Sequence, residues 1–218
     1  MASGRSSASR CSPSSPTSSA PIPDHAARGR LFVVSGPSGV GKGTVVRKLL
    51  ERDPSLVYSV SAKTRRPRPG EVEGRDYRFM SEEEFDRLIR EDAFLEWAEM
   101  FGHRSGTLAG PVEEALAAGR NVLLEIDVQG AATVRERVPE AVLVIIVPPS
   151  REELVRRLRQ RGTEDEEDFG RRVAAAEREM DEAARFDHVI VNDDLERAVA
   201  EVAGILQSSP PHSNGSHA

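Results

Sequence analysis

Short apolar runs alternate with amphipathic segments along the middle of the chain. Four of the runs are continuous and rich in valine, leucine and isoleucine: residues 31–35, 121–128, 141–147 and 188–192. Strands that are buried on both faces of a parallel sheet have this composition. The segment 55–61 is a further strand candidate. The pattern therefore predicts a parallel sheet at the centre of the fold.

Helices are predicted between these runs by the residues at their ends. Segments 81–89 and 150–158 each begin with a serine followed three positions later by a glutamate, which is the pattern of a capping box. Segment 111–119 has proline in its first turn and glycine at its end, and segment 194–206 carries one apolar face. Alternating strands and helices predict an α/β fold with a central parallel sheet covered by helices. Ligands of such sheets bind beyond the carboxyl ends of the strands.

The two ends of the chain differ from the part between them. Residues 1–29 are rich in serine and proline and contain little that can be buried, and residues 208–218 are similar. Such segments are typical of disorder. Arg5 and Arg10 precede the first acidic residue, as in an organelle transit peptide, but no amphipathic periodicity accompanies them. We expect two disordered extensions around a folded domain at residues 30–207.

Composition and charge exclude several classes of function. The chain has 218 residues, of which 38% are hydrophobic, so it can bury a large core. Its net charge of −6 lacks the positive field that nucleic acid requires, so we expect no nucleic-acid partner. The single cysteine, Cys11, cannot form an internal disulfide, which favours the cytoplasm. No apolar run approaches the ~20 residues that span a bilayer, so we expect no membrane association. Composition leaves monomer and homodimer open.

A glycine-rich turn separates the first predicted strand from a helix. Gly36, Gly41 and Lys42 fit the spacing G-x-x-x-x-G-K. Glycines let successive backbone N–H groups converge on an anion, and the helix adds its positive end. A lysine at this point reaches the β- and γ-phosphates of a nucleotide. The strand before the turn and the helix after it are the context that a phosphate-binding loop requires, so a glycine-rich surface turn is the weaker interpretation.

The residue after Lys42 departs from the usual loop. It is Gly43, followed by Thr44, whereas the motif normally has a serine or threonine whose hydroxyl binds Mg²⁺. We therefore expect no protein side chain of this loop to ligate the metal. Mg²⁺ retains several waters readily, so it can be held by the nucleotide and water as Mg-ATP.

A basic segment stands out in this acidic chain at residues 59–79. Its cations include Lys63, Arg65, Arg66 and Arg68. Prolines at 67 and 69 keep the backbone extended. Arginine suits phosphate because its planar fork donates two hydrogen bonds at once. A stiff arginine loop of this kind can hold a second phosphate, although a solvated basic turn or a localisation patch has the same composition.

Seven motifs resemble the guanylate kinase family, in the family's order and over about residues 30–206. They are SGPSGVGKGT, TRRPRPGEVEGRDYRF, FLEWAE, SGT, LLEIDVQGA, RLRQRGTE and VIVNDDL. The resemblance implies transfer of the γ-phosphate of ATP to GMP, giving ADP and GDP, in purine nucleotide metabolism. It also implies the P-loop fold of nucleoside monophosphate kinases. The core would comprise 30–60, 110–150 and 186–207, with a GMP-binding insertion at 61–109 and a helical lid at 151–185.

The resemblance further implies roles for individual residues. ATP would bind Gly36, Pro37, Ser38, Gly39, Val40, Gly41, Lys42, Gly43, Thr44, Asn192 and Asp193. GMP would bind Ser61, Arg65, Arg68, Glu71, Tyr77, Glu96, Thr107 and Asp127. Catalysis would rest on Lys42, Arg157, Arg161 and Arg172. Purely structural interpretations remain for some of them: a solvated helix for the charged run 154–172, a helix-end acid for Glu96, and a helix cap for Asn192 and Asp193.

Guanine recognition by Glu96 and Asp127 is chemically sound. A carboxylate accepts hydrogen bonds from both N1–H and N2–H of guanine, whereas the N1 acceptor of adenine would leave a buried carboxylate unpaired. Mismatches of this type can be rejected by as much as ~10⁴-fold. Glu125 and Asp127 also resemble the acidic pair of a Walker B strand, and Asp127 could order a metal-bound water.

One family feature is missing. The family commonly has NYYGT where this chain has HRSGT at 103–107, so Ser105 replaces a tyrosine that reaches the GMP phosphate. Its shorter hydroxyl would lose this contact or bridge it through water. Two other functions remain as alternatives: a catalytically inactive peptide-binding module, and a related P-loop kinase of another monophosphate or of a sugar phosphate. Lys42 argues against the first, and Glu96 with Asp127 against the second.

Overall fold

The computed structural model describes residues 28–100, 102–161 and 166–208. Along these residues the strands and helices are β1 (Leu31–Ser35), α1 (Lys42–Arg52), β2 (Val57–Tyr58), β3 (Ala62–Lys63), β4 (Arg78–Phe79), α2 (Glu82–Arg90), β5 (Phe94–Met100), β6 (His103–Leu108), α3 (Ala109–Ala117), β7 (Val122–Glu125), α4 (Val128–Arg137), β8 (Val142–Val147), α5 (Arg151–Arg161), α6 (Glu166–Asp181), β9 (His188–Val191) and α7 (Leu195–Ser208). A 3₁₀ turn at Glu182–Arg185 joins α6 to β9.

A five-stranded parallel sheet forms the centre, in the order β2–β7–β1–β8–β9. Alternate residues of β1 point to opposite faces: Phe32 and Val34 pack towards α1 and α7, while Leu31 and Val33 pack towards α3 and α4. Burial on both faces explains why the strands are continuously apolar, since each side chain gains about 25 cal/mol per Å² removed from water. The predicted α/β fold with a helix-covered parallel sheet is confirmed.

A second, four-stranded sheet in the order β4–β3–β6–β5 stands beside the central one. Its small core is formed by α2, whose Phe85 stacks on Phe94 of β5 with ring centroids 4.3 Å apart. The hairpin of β5 and β6 was not predicted, because its sequences FLEWAEM and HRSGTL lack a regular alternation of apolar and polar residues. Glu96 lies on β5, so the interpretation of Glu96 as a helix-end acid is wrong.

The helices α5 and α6 pack on each other through Leu154, Leu158 and Ala176. The backbone N–H of Glu153 donates to the hydroxyl of Ser150 over 3.2 Å, as the capping box predicts. The charged run 154–172 is therefore helical on both sides of residues 162–165, which lie outside the described residues. Arg161 ends α5, and its side chain lies outside them as well.

Two predicted strands are shorter than expected. The strand predicted at 121–128 ends at Glu125, because Asp127 caps a helix that the sequence analysis missed: its Oδ1 accepts from the N–H of Gly130 over 2.8 Å. The strand predicted at 55–61 is limited to Val57–Tyr58 in the central sheet, and one more bond joins the N–H of Ser59 to the carbonyl of Leu123. After β2 the chain enters the second sheet, and after β7 it enters α4. Both strands therefore end before the apolar pattern does.

The first described residues pack on α3. Gly29 donates its N–H to the carbonyl of Leu116 over 2.8 Å, and Arg28 bonds Glu113, so the packed chain begins two residues before the predicted boundary at residue 30. The predicted extensions at 1–27 and 209–218 lie outside the described residues. No helix in the described part is both long and apolar enough to cross a bilayer.

Candidate active site

A cleft of about 480 Å³ opens beyond the carboxyl ends of β1 and β7, where the second sheet faces the glycine-rich loop. It brings together most of the predicted site residues: Gly36, Pro37, Ser38, Gly39, Gly41, Lys42, Gly43, Ser61, Arg65, Arg68, Tyr77, Glu96 and Asp127. The other described candidates lie outside its lining: Val40, Thr44, Glu71, Thr107, Arg157, Arg172, Asn192 and Asp193. Loops that are far apart in sequence, such as those that contain Ser38 and Asp127, line one space because the parallel strands end on the same side.

The glycine-rich loop has the backbone that an anion site needs. Gly36 has φ 137° and Gly41 has φ 98°, values that favour glycine. A Cβ on Gly36 would lie 2.1 Å from the carbonyl oxygen of Ile146. The Nζ of Lys42 donates to the carbonyls of Gly36 at 2.5 Å and Pro37 at 3.2 Å, which holds the ammonium group at the loop.

Asn192 and Arg157 contact the back of this loop. The Nδ2 of Asn192, a buried side chain, donates to the carbonyl of Val40 over 2.7 Å. Arg157 donates to the carbonyl of Asn192 over 2.9 Å and pairs with Glu153 at 2.6 Å. In this conformation the two residues brace the backbone of the loop from behind. Asp193 forms an ion pair with Arg197 on α7.

Gly43 leaves room for a carboxylate. A Cβ on Gly43 would lie 3.4 Å from Oε1 of Glu125, so the acid at the end of β7 stands beside the position where the usual motif has a hydroxyl. Within the described residues no group of three or more histidine, cysteine or acidic side chains could hold a metal. The chemistry of this donor set suits a hydrated Mg²⁺, because a carboxylate accepts hydrogen bonds from coordinated waters.

The arginine loop is preorganised by Glu71. Both terminal nitrogens of Arg65 donate to its carboxylate at 2.6 Å, and the N–H of Arg68 donates to it at 2.7 Å. The hydrogen bond from Arg65, followed by that from Arg68, lowers the pKa of Glu71 to about 2. Arg65 also lies over the ring of Tyr77, 5.2 Å from its centroid. Glu71 thus orients the arginines and does not line the cleft.

A buried carboxyl group lies in the part of the cleft formed by the second sheet. Glu96 is 5% exposed, and its Oε1 accepts from the hydroxyl of Thr107 over 2.6 Å. Burial raises the pKa of Glu96 to about 7, and the nearby charge of Asp127 acts in the same direction. A Cβ on Gly130 would lie 2.8 Å from Oε2 of Glu96, so this glycine lets α4 approach β5 and brings Asp127 next to Glu96.

Ser105 has a cationic partner that the sequence analysis did not assign to the site. The Nζ of Lys63 donates to its hydroxyl over 3.3 Å and lies 4.5 Å from the centroid of the Tyr77 ring. Arg104 does not fill this role, because its guanidinium pairs with Asp86 and Glu82 of α2. The basic composition of residues 59–79 was the available indication, but it could not show which cation turns inward.

Three more lining residues were missed as candidates. Tyr58 ends β2 and Ile126 follows β7, and the apolar pattern of these strands gave no reason to single either residue out. Glu179 of α6 reaches the cleft from a charged helix, where nothing distinguishes it from its exposed neighbours. Burial raises the pKa of Glu179, and the charge of Lys42 opposes this rise.

Comparisons with known proteins agree with this geometry. The family model described as guanylate kinase matches residues 28–209. A guanylate kinase of Nocardia farcinica is 54% identical over 188 residues, which are 85% of this chain and 97% of that protein. One from Thermus thermophilus is 56% identical, covering 82% of this chain and 81% of that protein. The crystal structure of guanylate kinase from Anaplasma phagocytophilum has a TM-score of 0.69 and 38% identity, covering 83% of this chain and 85% of that one.

Proposed function

The chain belongs to the guanylate kinase family, whose members phosphorylate GMP with ATP, and from this premise we propose how its residues carry out the reaction. One observation supports the proposal above all others. A glycine loop with its lysine and a buried carboxyl group with an arginine pair line the same cleft, so two nucleotides can meet there with their phosphates together. A protein that bound only one nucleotide would need only one half of this cleft.

The donor nucleotide binds at the loop of residues 36–44. Its backbone N–H groups and the start of α1 hold the phosphates of ATP, and Lys42 neutralises the charge that moves towards the β–γ bridging oxygen. Asn192 and Asp193 shape the adenine side, with Asn192 keeping Val40 in place. Rigidity of the loop matters because the donor atoms must already point at the phosphates when ATP arrives.

The acceptor nucleotide binds between the two sheets. Arg65, Arg68 and Tyr77 hold the phosphate of GMP, and Glu71 fixes Arg65 in the required direction. At the other end, Glu96 and Asp127 accept hydrogen bonds from N1–H and N2–H of guanine, with Thr107 and Ser61 in support. This polarity places an oxygen of the GMP phosphate towards the loop.

The reaction is then an in-line displacement. An oxygen of the GMP phosphate forms a bond to the γ-phosphorus of ATP, the bond from that phosphorus to the bridging oxygen breaks, and ADP leaves with the electron pair. The nucleophile is already anionic, so no strong base is needed. Catalysis consists of positioning and of cations that stabilise the charge on the transferring group.

Bound together with ATP, Mg²⁺ would supply further positive charge to the phosphates. Glu125 fits a role as acceptor for waters of the ion, because its carboxylate stands beside Gly43. Arg157, Arg161 and Arg172 belong to the proposed lid of α5 and α6, which closes over the phosphates and excludes water. Closure would require Arg157 to exchange its bonds to the carbonyls of Val40 and Asn192 for bonds to phosphate.

The division into a core, a GMP-binding insertion at 61–109 and a lid at 151–185 belongs to the same proposal. The second sheet supports the insertion, and the paired helices α5 and α6 support the lid. We further assign the enzyme to purine nucleotide metabolism and GMP recycling in the cytoplasm, as a monomer or a homodimer.

A coupled assay of ADP release with GMP, AMP, UMP and CMP tests the proposal. We expect rapid turnover with GMP and at least about a hundredfold lower kcat/KM with the others. Absence of turnover with every acceptor would support the binding module, and preference for another monophosphate would reassign the recognition site.

A further inference from the structure

Lys63 occupies a central position in the wall of the cleft. It ends β3, the strand between β4 and β6, and pairs with Phe79 on one side and Ser105 on the other. Its side chain is half-buried and lines the cleft, where the ammonium group lies between the hydroxyl of Ser105 and the ring of Tyr77. The strand pairing fixes the backbone of Lys63, so its side chain has few directions other than into the cleft.

The surrounding charges make Lys63 unlike the neighbouring cations. Arg65 is held by Glu71, and Arg104 by Glu82 and Asp86. Within the residues that the structure describes, no carboxylate lies within ion-pair distance of Lys63. Its ammonium group has three N–H donors, and the hydroxyl of Ser105 accepts from one of them. Burial lowers the pKa of Lys63, and the positive charge of Arg65 adds to this effect. An anion bound in the cleft would offset both the desolvation of the ammonium group and its repulsion by Arg65.

The only large anion that the proposed reaction brings to this wall is the GMP phosphate. Arg65, Arg68 and Tyr77 line the same side of the cleft as Lys63, and the Tyr77 ring contacts Lys63 and Arg65 together. Ser105 is too short to reach a phosphate held by this group, whereas the four-carbon stem of a lysine at the paired position can do so.

We propose that Lys63 is a further binding residue for the phosphate of GMP, with Ser105 positioning its ammonium group. The inference rests on the proposed function, and it goes beyond the site residues that the family resemblance assigns. Lys63 and Ser105 together take the place of a tyrosine at position 105, and they exchange a neutral hydrogen-bond donor for a full positive charge. The acceptor site thereby holds three cations around one phosphate.

The test compares Lys63→Met with wild type in steady-state kinetics, with guanosine as a competitive inhibitor that lacks the phosphate. We expect the KM for GMP to rise about tenfold or more, because a hydrogen bond from a charged group is lost. The KM for ATP and the inhibition constant of guanosine should stay within about twofold. Lys63→Arg should keep most of the affinity for GMP, and Lys48→Met, at an exposed ion pair with Glu196, should change nothing.

Two further variants separate charge from structure. Lys63→Gln retains a hydrogen bond to Ser105 without the charge and should show the same selective loss for GMP, even if the methionine variant folds poorly. Adding Ser105→Tyr to Lys63→Met should recover part of the lost affinity for GMP.

Equal losses for GMP and guanosine, or no loss for either, would overturn the role of Lys63. Failure of the proposed function is distinguishable, because wild type would then not phosphorylate GMP or Arg65→Ala would leave the KM for GMP unchanged. If Arg65→Ala raised the KM for GMP while Lys63→Met and Lys63→Gln left it unchanged, only the role of Lys63 would be rejected.

Discussion

Thr107 donates a hydrogen bond of 2.6 Å to Oε1 of Glu96 across the paired strands β6 and β5. Both side chains are buried, so the carboxyl group is held in one orientation before any substrate arrives. Thr107 occupies one oxygen, and Gly130 packs next to the other. A carboxyl group fixed in this manner can discriminate between purines by which of their edge atoms donate, since a mismatched base leaves it unpaired.

Glu96→Gln is expected to weaken discrimination between GMP and AMP. The amide presents a donor where guanine needs an acceptor, so kcat/KM for GMP should fall about a hundredfold and the ratio of GMP to AMP should fall at least about tenfold. The ADP-release assay with both acceptors measures this. Glu99→Gln, exposed on the other face of β5, is the matched control and should behave as wild type. An intact ratio in Glu96→Gln would place recognition elsewhere.

The free energy of unfolding should depend on pH through Glu96. Its pKa rises from 4.5 to about 7 on folding, so between these values the folded state holds a proton that the unfolded chain has released. The contribution of the group is therefore complete below pH 4.5 and is lost as the pH rises through about 7. Urea denaturation at pH 5 and pH 8 should show wild type losing stability relative to Glu96→Gln. A constant difference between the two proteins would contradict the raised pKa.

Lys42→Ala should mainly lower kcat. Removal of one preorganised cation that faces the transferring phosphate costs about 10²–10³ in kcat. Steady-state kinetics with saturating GMP and ATP measures the loss, and Lys48→Ala on the outer side of α1 is the control. An unchanged kcat would remove Lys42 from the proposed chemistry.

Arg65→Ala should raise the KM for GMP at least about tenfold and leave the KM for ATP within about twofold. Glu71→Gln should have a smaller effect in the same direction, because it loosens Arg65 without removing its charge. Initial rates at varied concentrations of each nucleotide provide both constants. If the two KM values rose together, Arg65 would have a general structural role.

Asn192→Ala should weaken ATP binding, because it removes a support at the back of the glycine-rich loop. It removes the shorter of two hydrogen bonds to the carbonyl of Val40 and leaves the 3.3 Å bond from Arg157, which costs about 1 kcal/mol of stability and loosens the loop. The KM for ATP should rise while that for GMP stays constant. Asn121→Ala removes a comparable bond to the N–H of Arg30, far from the cleft, and should lower stability alone. Loss of stability without any change in the KM for ATP would separate Asn192 from nucleotide binding.

Local spacing accounts for what the sequence could predict. The glycine loop, the capped helices and the apolar strands are encoded by neighbouring residues, and the structure agrees with them. Glu96 and Asp127 were predicted from the family resemblance, but their surroundings were not: the β5–β6 hairpin depends on strand pairing, and the approach of Gly130 in α4 to Glu96 depends on tertiary packing. The inward direction of Lys63 likewise depends on strand pairing, which no local pattern contains.

The bond from Asn192 to Val40 joins residues 152 positions apart and has a consequence for synthesis. The loop is translated long before Asn192, the residue after β9 that supports it. β1 also waits for both of its neighbours, β7 and β8, which follow much later. A nascent chain therefore cannot form the bond that braces the loop until residue 192 has been translated.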